Sequence, residues 1–232
     1  VTAADAAPAT PHALETIAEL EDARSDGDGL LEALVAQGRE ATRERAAVAL
    51  GRLGYPELGA EVTLALCDAL GDPLVRVRRA AAFALGERGD PAAASALLEH
   101  RGDADALMRA RVVEAASRVP DKRMRELVVE ALQDPRPEVR CEAALGPHRW
   151  TVDRAKPADP DDARVDAALI EVVNGSAREL AQGASPQDEH VAAAAVFSLA
   201  RRKCEAARAA FVLCASRTND VEATLFAIQG LG

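Results

Sequence analysis

The chain has 232 residues, 28 Lys+Arg against 38 Asp+Glu, a net charge of −10 and an isoelectric point near 5.0. That balance argues against a general binder of nucleic-acid backbones, which needs clustered Lys and Arg to neutralise phosphates. With 53 Ala, 25 Leu and only 3% aromatic residues, the composition excludes an ordinary all-β domain and points to an all-α chain. No uncharged apolar run approaches the length of roughly 18 residues that a membrane-spanning helix requires.

The first ten residues, Val1 to Thr10, are rich in Ala, Thr and Pro with one charge at Asp5. They read as a mature start left after removal of an export signal, which implies a periplasmic or otherwise extracytoplasmic setting. A trimmed chain begins the same way, so a cytoplasmic setting stays open. Residues 1–12 are expected to be a flexible segment and residues 13–232 a single array of repeats.

Self-similarity is the strongest signal. The segment from Asp72 to Pro91, with Val75, Arg76, Val77, Arg78, the Ala80-Ala81-Ala82 run, Leu85 and Gly86, recurs along the chain. Upstream, Arg43 to Pro56 matches it; downstream, Asp103 to Val119 and Asp134 to Ala144 do, with weaker copies at Val191 to Ala200 and Asp220 to Gly232. Each copy has the grammar of a helical hairpin. Asp-Pro suits an N-cap and first helical position, Ala allows close helix approach, and a Gly near the end suits a left-handed cap. Between copies, apolar residues three and four apart predict second helices over Leu58 to Leu70, Ala92 to His100, Met124 to Leu132, Val165 to Val173 and Cys204 to Ser216.

The motif Asp-Pro-x-x-x-Val-Arg-x-x-Ala-Ala-x-Ala-Leu-Gly resembles the HEAT-repeat family, in the short bacterial form similar to phycobilin-lyase-type HEAT-like repeats. The resemblance covers roughly Gly29 to Gly232 and implies an all-α fold, a right-handed α-solenoid of about six HEAT-like helical hairpins. The last copy lacks its second helix and a polar cap, so the native polypeptide is expected to continue beyond Gly232. The stretch Leu20 to Leu31, followed directly by the first repeat, also resembles the opening of bacterial HEAT-repeat proteins that are peptidyl-prolyl isomerases. That resemblance implies an exported protein whose catalytic cyclophilin domain would follow these residues.

Arg43, Arg78, Arg109 and Arg140 share one repeat position and Asp72, Asp103 and Asp134 another. A ladder of anion-binding groups is one reading; Arg–Asp bonds tying adjacent repeats together is the better one. A variable position inside the Ala cluster holds Val48, Phe83, Glu114, Leu145, Phe197 and Phe226, which includes three of the four Phe residues. Nearby lie Arg45, Arg76, Arg79 and Arg111. On the side that the family resemblance makes concave, Arg45, Arg76, Arg79, Phe83, Arg111, Phe197 and Phe226 are candidate partner-binding residues, since Arg and aromatic groups dominate interface hot spots. Filling of gaps between helices is the competing role for the Phe residues.

The rhythm breaks after Ala144, where residues 146–163 predict a long irregular loop containing Trp150, the one Trp. Trp150 is either a partner anchor or a pin for the loop. Asp153, Asp159, Asp161 and Asp162 lack the spacing of a calcium loop, and Cys67, Cys141, Cys204 and Cys214 lack zinc spacing and are expected to be buried free thiols. No metal and no cofactor is expected. His12, His100, His148 and His190 are dispersed, and neither a nucleophile elbow nor a phosphate-binding loop is present. The expected function is a scaffold that binds a protein partner through the concave face, with no catalytic residue in this chain. Two alternatives stand: the recruiting region of an exported peptidyl-prolyl isomerase, and an accessory subunit of a bilin lyase.

Overall fold

The computed structural model describes residues 11–53, 59–150, 160–180, 186–217 and 221–231. Among the described residues every regular element is helical. The helices are α1 (Pro11–Ala23), α2 (Leu30–Gln37), α3 (Glu40–Arg52), α4 (Ala60–Ala69), α5 (Val75–Arg88), α6 (Ala94–Glu99), α7 (Ala106–Ala116), α8 (Lys122–Ala131), α9 (Pro137–Leu145), α10 (Pro160–Leu180), α11 (Pro186–Arg201), α12 (Arg208–Arg217) and α13 (Val221–Leu231). Among the described residues α2 packs on α3, α4 on α5, α6 on α7, α10 on α11 and α12 on α13. The chain divides into two compact units, Val1–Met124 and Arg125–Gly232.

In the first unit the Ala-rich helices form one layer, with α3 against α5 and α5 against α7, while α2 and α4 pack together behind them. The layer is close-packed because its facing residues are small. A Cβ built on Gly51 would lie 2.6 Å from the Cα of Ala84, and one on Gly86 would lie 2.9 Å from the Cα of Ala115. Both glycines are buried inside their helices. They serve helix–helix approach, which corrects the expectation that the Gly closing Ala-Leu-Gly caps the helix. The left-handed cap of α5 is made three residues later by Gly89, at φ 63°. Larger apolar groups, among them Leu31, Leu50, Leu66, Leu85, Leu97 and Met108, fill the space between the two layers and are fully buried.

The repeated Arg and Asp residues do tie neighbouring copies. Arg43 donates from Nε and Nη2 to the two carboxylate oxygens of Asp72, at 2.7 and 3.2 Å. Arg78 does the same to Asp103, at 2.9 and 3.2 Å. The third guanidinium nitrogen turns back to a main-chain carbonyl, Gly38 O for Arg43 and Asp72 O for Arg78. Each aspartate in turn accepts from the backbone N–H two residues on, Leu74 or Asp105. Asp72 and Asp134 are therefore turn-formers lying two residues ahead of the N-caps Leu74 and Arg136, rather than N-caps themselves. Asp90-Pro91 follows the expected pattern: Asp90 accepts from Ala92 N at the start of a short 3-10 turn, Pro91–Ala93. Asp90 is also bonded by the Thr63 hydroxyl at 2.6 Å, so this buried carboxylate is satisfied.

In the second unit α9 packs on α11 and α11 on α13, with α10 and α12 alongside. Its polar centre is Arg202, fully buried, donating to Asp166 at 2.6 Å and to Asp162 at 3.3 Å. The Ser198 hydroxyl donates to Ala144 O at 2.6 Å. Residues 146–149, expected to be irregular, form a 3-10 turn, and α10 already begins at Pro160. Of the expected loop, 151–159 lie outside the described residues, as do residues 1–10.

Replacing Gly51 or Gly86 by Ala should lower thermal stability, although Ala is the better helix former by about 1 kcal/mol. Overpacking against a backbone costs about 1–3 kcal/mol, and calorimetry of the two variants would measure the balance. A melting point at or above that of the unmodified chain would show that the two helices have room to separate.

Candidate functional site

Because α3, α5 and α7 lie side by side, their outward residues compose one surface of the first unit. It carries Glu44, Arg45 and Val48 on α3, Arg76, Arg79, Phe83 and Glu87 on α5, and Leu107, Arg111 and Glu114 on α7, with Arg118 just past its end. The expected residues Arg45, Arg76, Arg79, Phe83 and Arg111 are thus brought onto the same face. Phe83 is half-buried between charged neighbours, and Leu107 is 48% exposed.

The electrostatics differ from a groove of unpaired arginines. Arg45 bonds Glu21 of α1, which Arg52 also reaches at 3.2 Å. Arg76 reaches back to Glu40 and, at 3.4 Å, to Glu44. Arg79 donates twice to Asp105, at 3.0 and 2.6 Å. Arg111 bonds Glu114 at 2.5 Å, and Arg118 joins Glu114 to Glu87. Most of these pairs link one helix to the next, so the face is a lattice of matched charges with Phe83 and Leu107 as its apolar points. Held guanidinium groups lose little side-chain freedom when a partner arrives, so the surface is preorganised.

Asp105 has a second role as the N-cap of α7, accepting from Met108 N at 2.7 Å. The Arg79 hydrogen bond is the main reason that its carboxyl sits below the ordinary range; burial opposes, and Met108 N–H and the Arg79 charge assist. For Asp103 burial pushes upward, yet the Arg78 and Asp105 N–H hydrogen bonds together outweigh it and the net direction is down. Glu21 is lowered chiefly by its hydrogen bond from Arg45, against the upward push of burial. The sequence singled out Asp103 as a partner of the repeated arginines, but not Asp105 or Glu21. The signal was present in Asp103-Ala104-Asp105, where one aspartate makes the turn and the other caps the helix.

The remaining expected residues belong to the second unit. Trp150 is half-buried with the Arg125 guanidinium 5.7 Å from its ring centre. Arg125 also bonds Asp162 of α10 at 3.2 Å. Phe197 stands edge-on to His148 at 5.1 Å and to Phe226 at 5.0 Å, a cluster linking α11 and α13. Phe197 and Phe226 are each half-buried, and their contact joins α11 to α13. Phe211, the fourth Phe, is fully buried.

Cys204 and Cys214 are buried, whereas Cys67 and Cys141 are only half-buried, and all four are free thiols. Burial, with Asp68 and Asp90 adding to it, pushes the Cys67 thiol up to about 11, which makes it a poor nucleophile at neutral pH. Asp161 and Asp162 lie in the first turn of α10, and Asp162 is engaged by Arg125 and Arg202; Asp153 and Asp159 lie outside the described residues. No described helix is long and apolar enough to cross a membrane.

Stacked Ala-rich hairpins joined by Arg–Asp bonds define a helical-repeat protein. Residues 27–116 match the family model of HEAT repeats. The fold of the chain is that of HEAT-like repeat proteins. It is similar to the complex of CpcE and CpcF of phycocyanin lyase from Nostoc sp. PCC7120, with 21% identity, TM-score 0.51, and 100% of this chain and 90% of that one covered. It is also similar to an archaeal HEAT-like repeats protein from Thermococcus onnurineus NA1, with 17% identity, TM-score 0.56, and 96% and 92% covered. An engineered protein is similar too, with 17% identity, TM-score 0.55, and 92% and 95% covered. No curated protein matches the chain.

The lowered carboxylates set the sign of the acid response. Stability that they contribute is fully present above the ordinary carboxylate value of about 4 and is lost as pH falls through their lower folded values. Thermal melts taken downward from pH 5 should show this loss. Arg78→Ala should cost about 1–3 kcal/mol at neutral pH and give a shallower acid slope than the unmodified chain.

Proposed function

We propose that the chain is a protein-interaction scaffold whose first unit presents the α3–α5–α7 face to a partner protein. The observation that carries this reading is the exposed Leu107 and half-buried Phe83 set within a lattice of ion pairs already in place. A partner gains apolar contact at these two residues, while the surrounding charges exclude mismatched surfaces and fix orientation. Arg79 is a weaker choice of anchor, because it is committed to the N-cap Asp105. Arg111 and Arg76, about half exposed, have guanidinium edges free to meet a carboxylate.

To test this reading, the chain would be crosslinked in an extract of its source, and the captured protein compared across variants by mass spectrometry. Phe83→Asp and Leu107→Asp should each reduce capture of the same protein by tenfold or more with little change in melting point. Glu99→Lys, at an exposed position of α6, should leave capture intact. Equal capture by all four proteins would refute the assignment of the face.

A second reading draws on the likeness to the phycocyanin lyase complex. In that case the chain is one subunit of a paired lyase acting on a bilin. The purified protein, mixed with a linear tetrapyrrole, should then show a shifted and sharpened visible absorption band; an unaltered spectrum sinks this alternative. The isomerase reading of the amino-terminal segment concerns a catalytic domain outside these residues, and it rests on the sequence resemblance alone.

A further inference from the structure

Behind the Ala-rich layer, α2 and α4 line an open cavity of about 600 Å³ that the proposed partner face does not use. Its lining is divided by chemistry. Val35, Leu64 and Ala69 supply apolar surface, and Leu64 is 62% exposed, the most exposed of the large apolar side chains described. Glu32, Glu61 and Asp68 supply carboxylates, and among the described residues neither Lys nor Arg lines the cavity. Asp72, at one end, is already bound by Arg43. Glu61 and Asp68 are exposed and have no side-chain hydrogen bond or ion pair among the described residues.

Glu32 gives the cavity its direction. Its Oε2 is buried and has no hydrogen-bond partner. Burial raises its carboxyl above the ordinary value; its own backbone N–H and the charge of Arg88 oppose this, and Asp26 and Glu61 add to the rise. An oxygen kept in this condition costs stability that a cationic hydrogen-bond donor would restore. A bare metal ion does not suit the site, because no three described carboxylate, His or Cys groups converge to hold one. The apolar surface beside the acids calls for a ligand with both characters.

We infer that the α2–α4 cavity receives an amphipathic basic segment of a partner protein, with apolar side chains against Leu64 and Val35 and a Lys or Arg reaching Glu32. Charge complementarity points to the occupant, since three carboxylates stand around apolar surface and the described lining includes neither Lys nor Arg, the buried Arg88 acting on Glu32 from outside it. The volume accommodates a few side chains rather than a folded domain. This surface lies on different helices from the α3–α5–α7 face, so either can fail without the other.

The probe is a fluorescein-labelled 14-residue helical peptide of Leu and Lys, with Lys along one side, read by anisotropy against the whole chain. The unmodified chain should bind it, and Glu61→Lys with Asp68→Lys should weaken binding tenfold or more. Leu64→Asp should do the same, and because this position is exposed the variant keeps its fold, which a melt verifies. Glu32→Gln should weaken binding at least threefold while raising the melting temperature of the free chain. Phe83→Asp should bind the peptide as the unmodified chain does. The inference is overturned if the peptide does not bind, if the charge-reversed or Leu64→Asp variant binds as tightly, or if Phe83→Asp abolishes binding. It is equally overturned if spermine displaces the peptide at the same concentration from the unmodified and Leu64→Asp chains, because that would be attraction of charge alone.

Discussion

Everything in the first unit depends on how closely the Ala-rich helices approach one another. At Gly51 facing Ala84 and Gly86 facing Ala115, one helix backbone lies against the next with no space for even a methyl group. This spacing brings the guanidinium of one helix within reach of carboxylates on its neighbour. With bulkier residues at the seam, the reach from Arg78 to Asp103 and from Arg76 to Glu44 would lengthen and the charge lattice would come apart. The small residues thus act through what they allow larger neighbours to do, since dispersion and hydrogen bonding both fall off steeply with distance.

Two consequences for recognition follow from the same geometry. On the Ala-rich side the charges are matched, so the face is stiff and nearly neutral in its pairing, and its apolar points decide what it holds. On the α2–α4 side the acids outnumber their partners, and Glu32 keeps an unsatisfied oxygen. A chain of net charge −10 therefore has its acidity unevenly spent: neutralised along one layer, available along the other. Proteins commonly give up some stability at such places in exchange for binding.

The architecture was legible because it is written several times. Repetition of Val, Arg, Ala and Gly at fixed offsets identified the helical hairpins, and apolar spacing placed the second helices within a few residues of α4, α6, α8 and α12, while α10 is more than twice as long as the stretch expected. What sequence reading misassigned were roles that depend on neighbours remote along the chain. Gly86 stands near a helix end in the linear sequence, yet Ala115 explains its presence. Asp72 precedes Pro73 just as Asp90 precedes Pro91, but only the second pair opens helical structure at once. The arginines of the candidate face were legible as a group; their pairing was not, since Glu21 is 24 residues from Arg45 and Asp105 is 26 from Arg79. The α2–α4 cavity left still less trace, because Glu32, Glu61 and Asp68 read individually as solvated helix residues.

The forward reach of the clamps has an evolutionary meaning. Arg43 bonds the aspartate of the following copy, and Arg78 bonds that of the copy after, so each bond belongs to a junction and to neither repeat alone. If one whole copy were excised, Arg43 would meet Asp103, a residue with the same carboxylate, the same turn and the same backbone donor two positions on. A cut of any other length would strand a guanidinium opposite the wrong residue and break the Gly–Ala seam as well. A chain clamped in this way can therefore gain or lose length in complete repeats without devising a new contact, while fractional changes are disfavoured at each clamped junction.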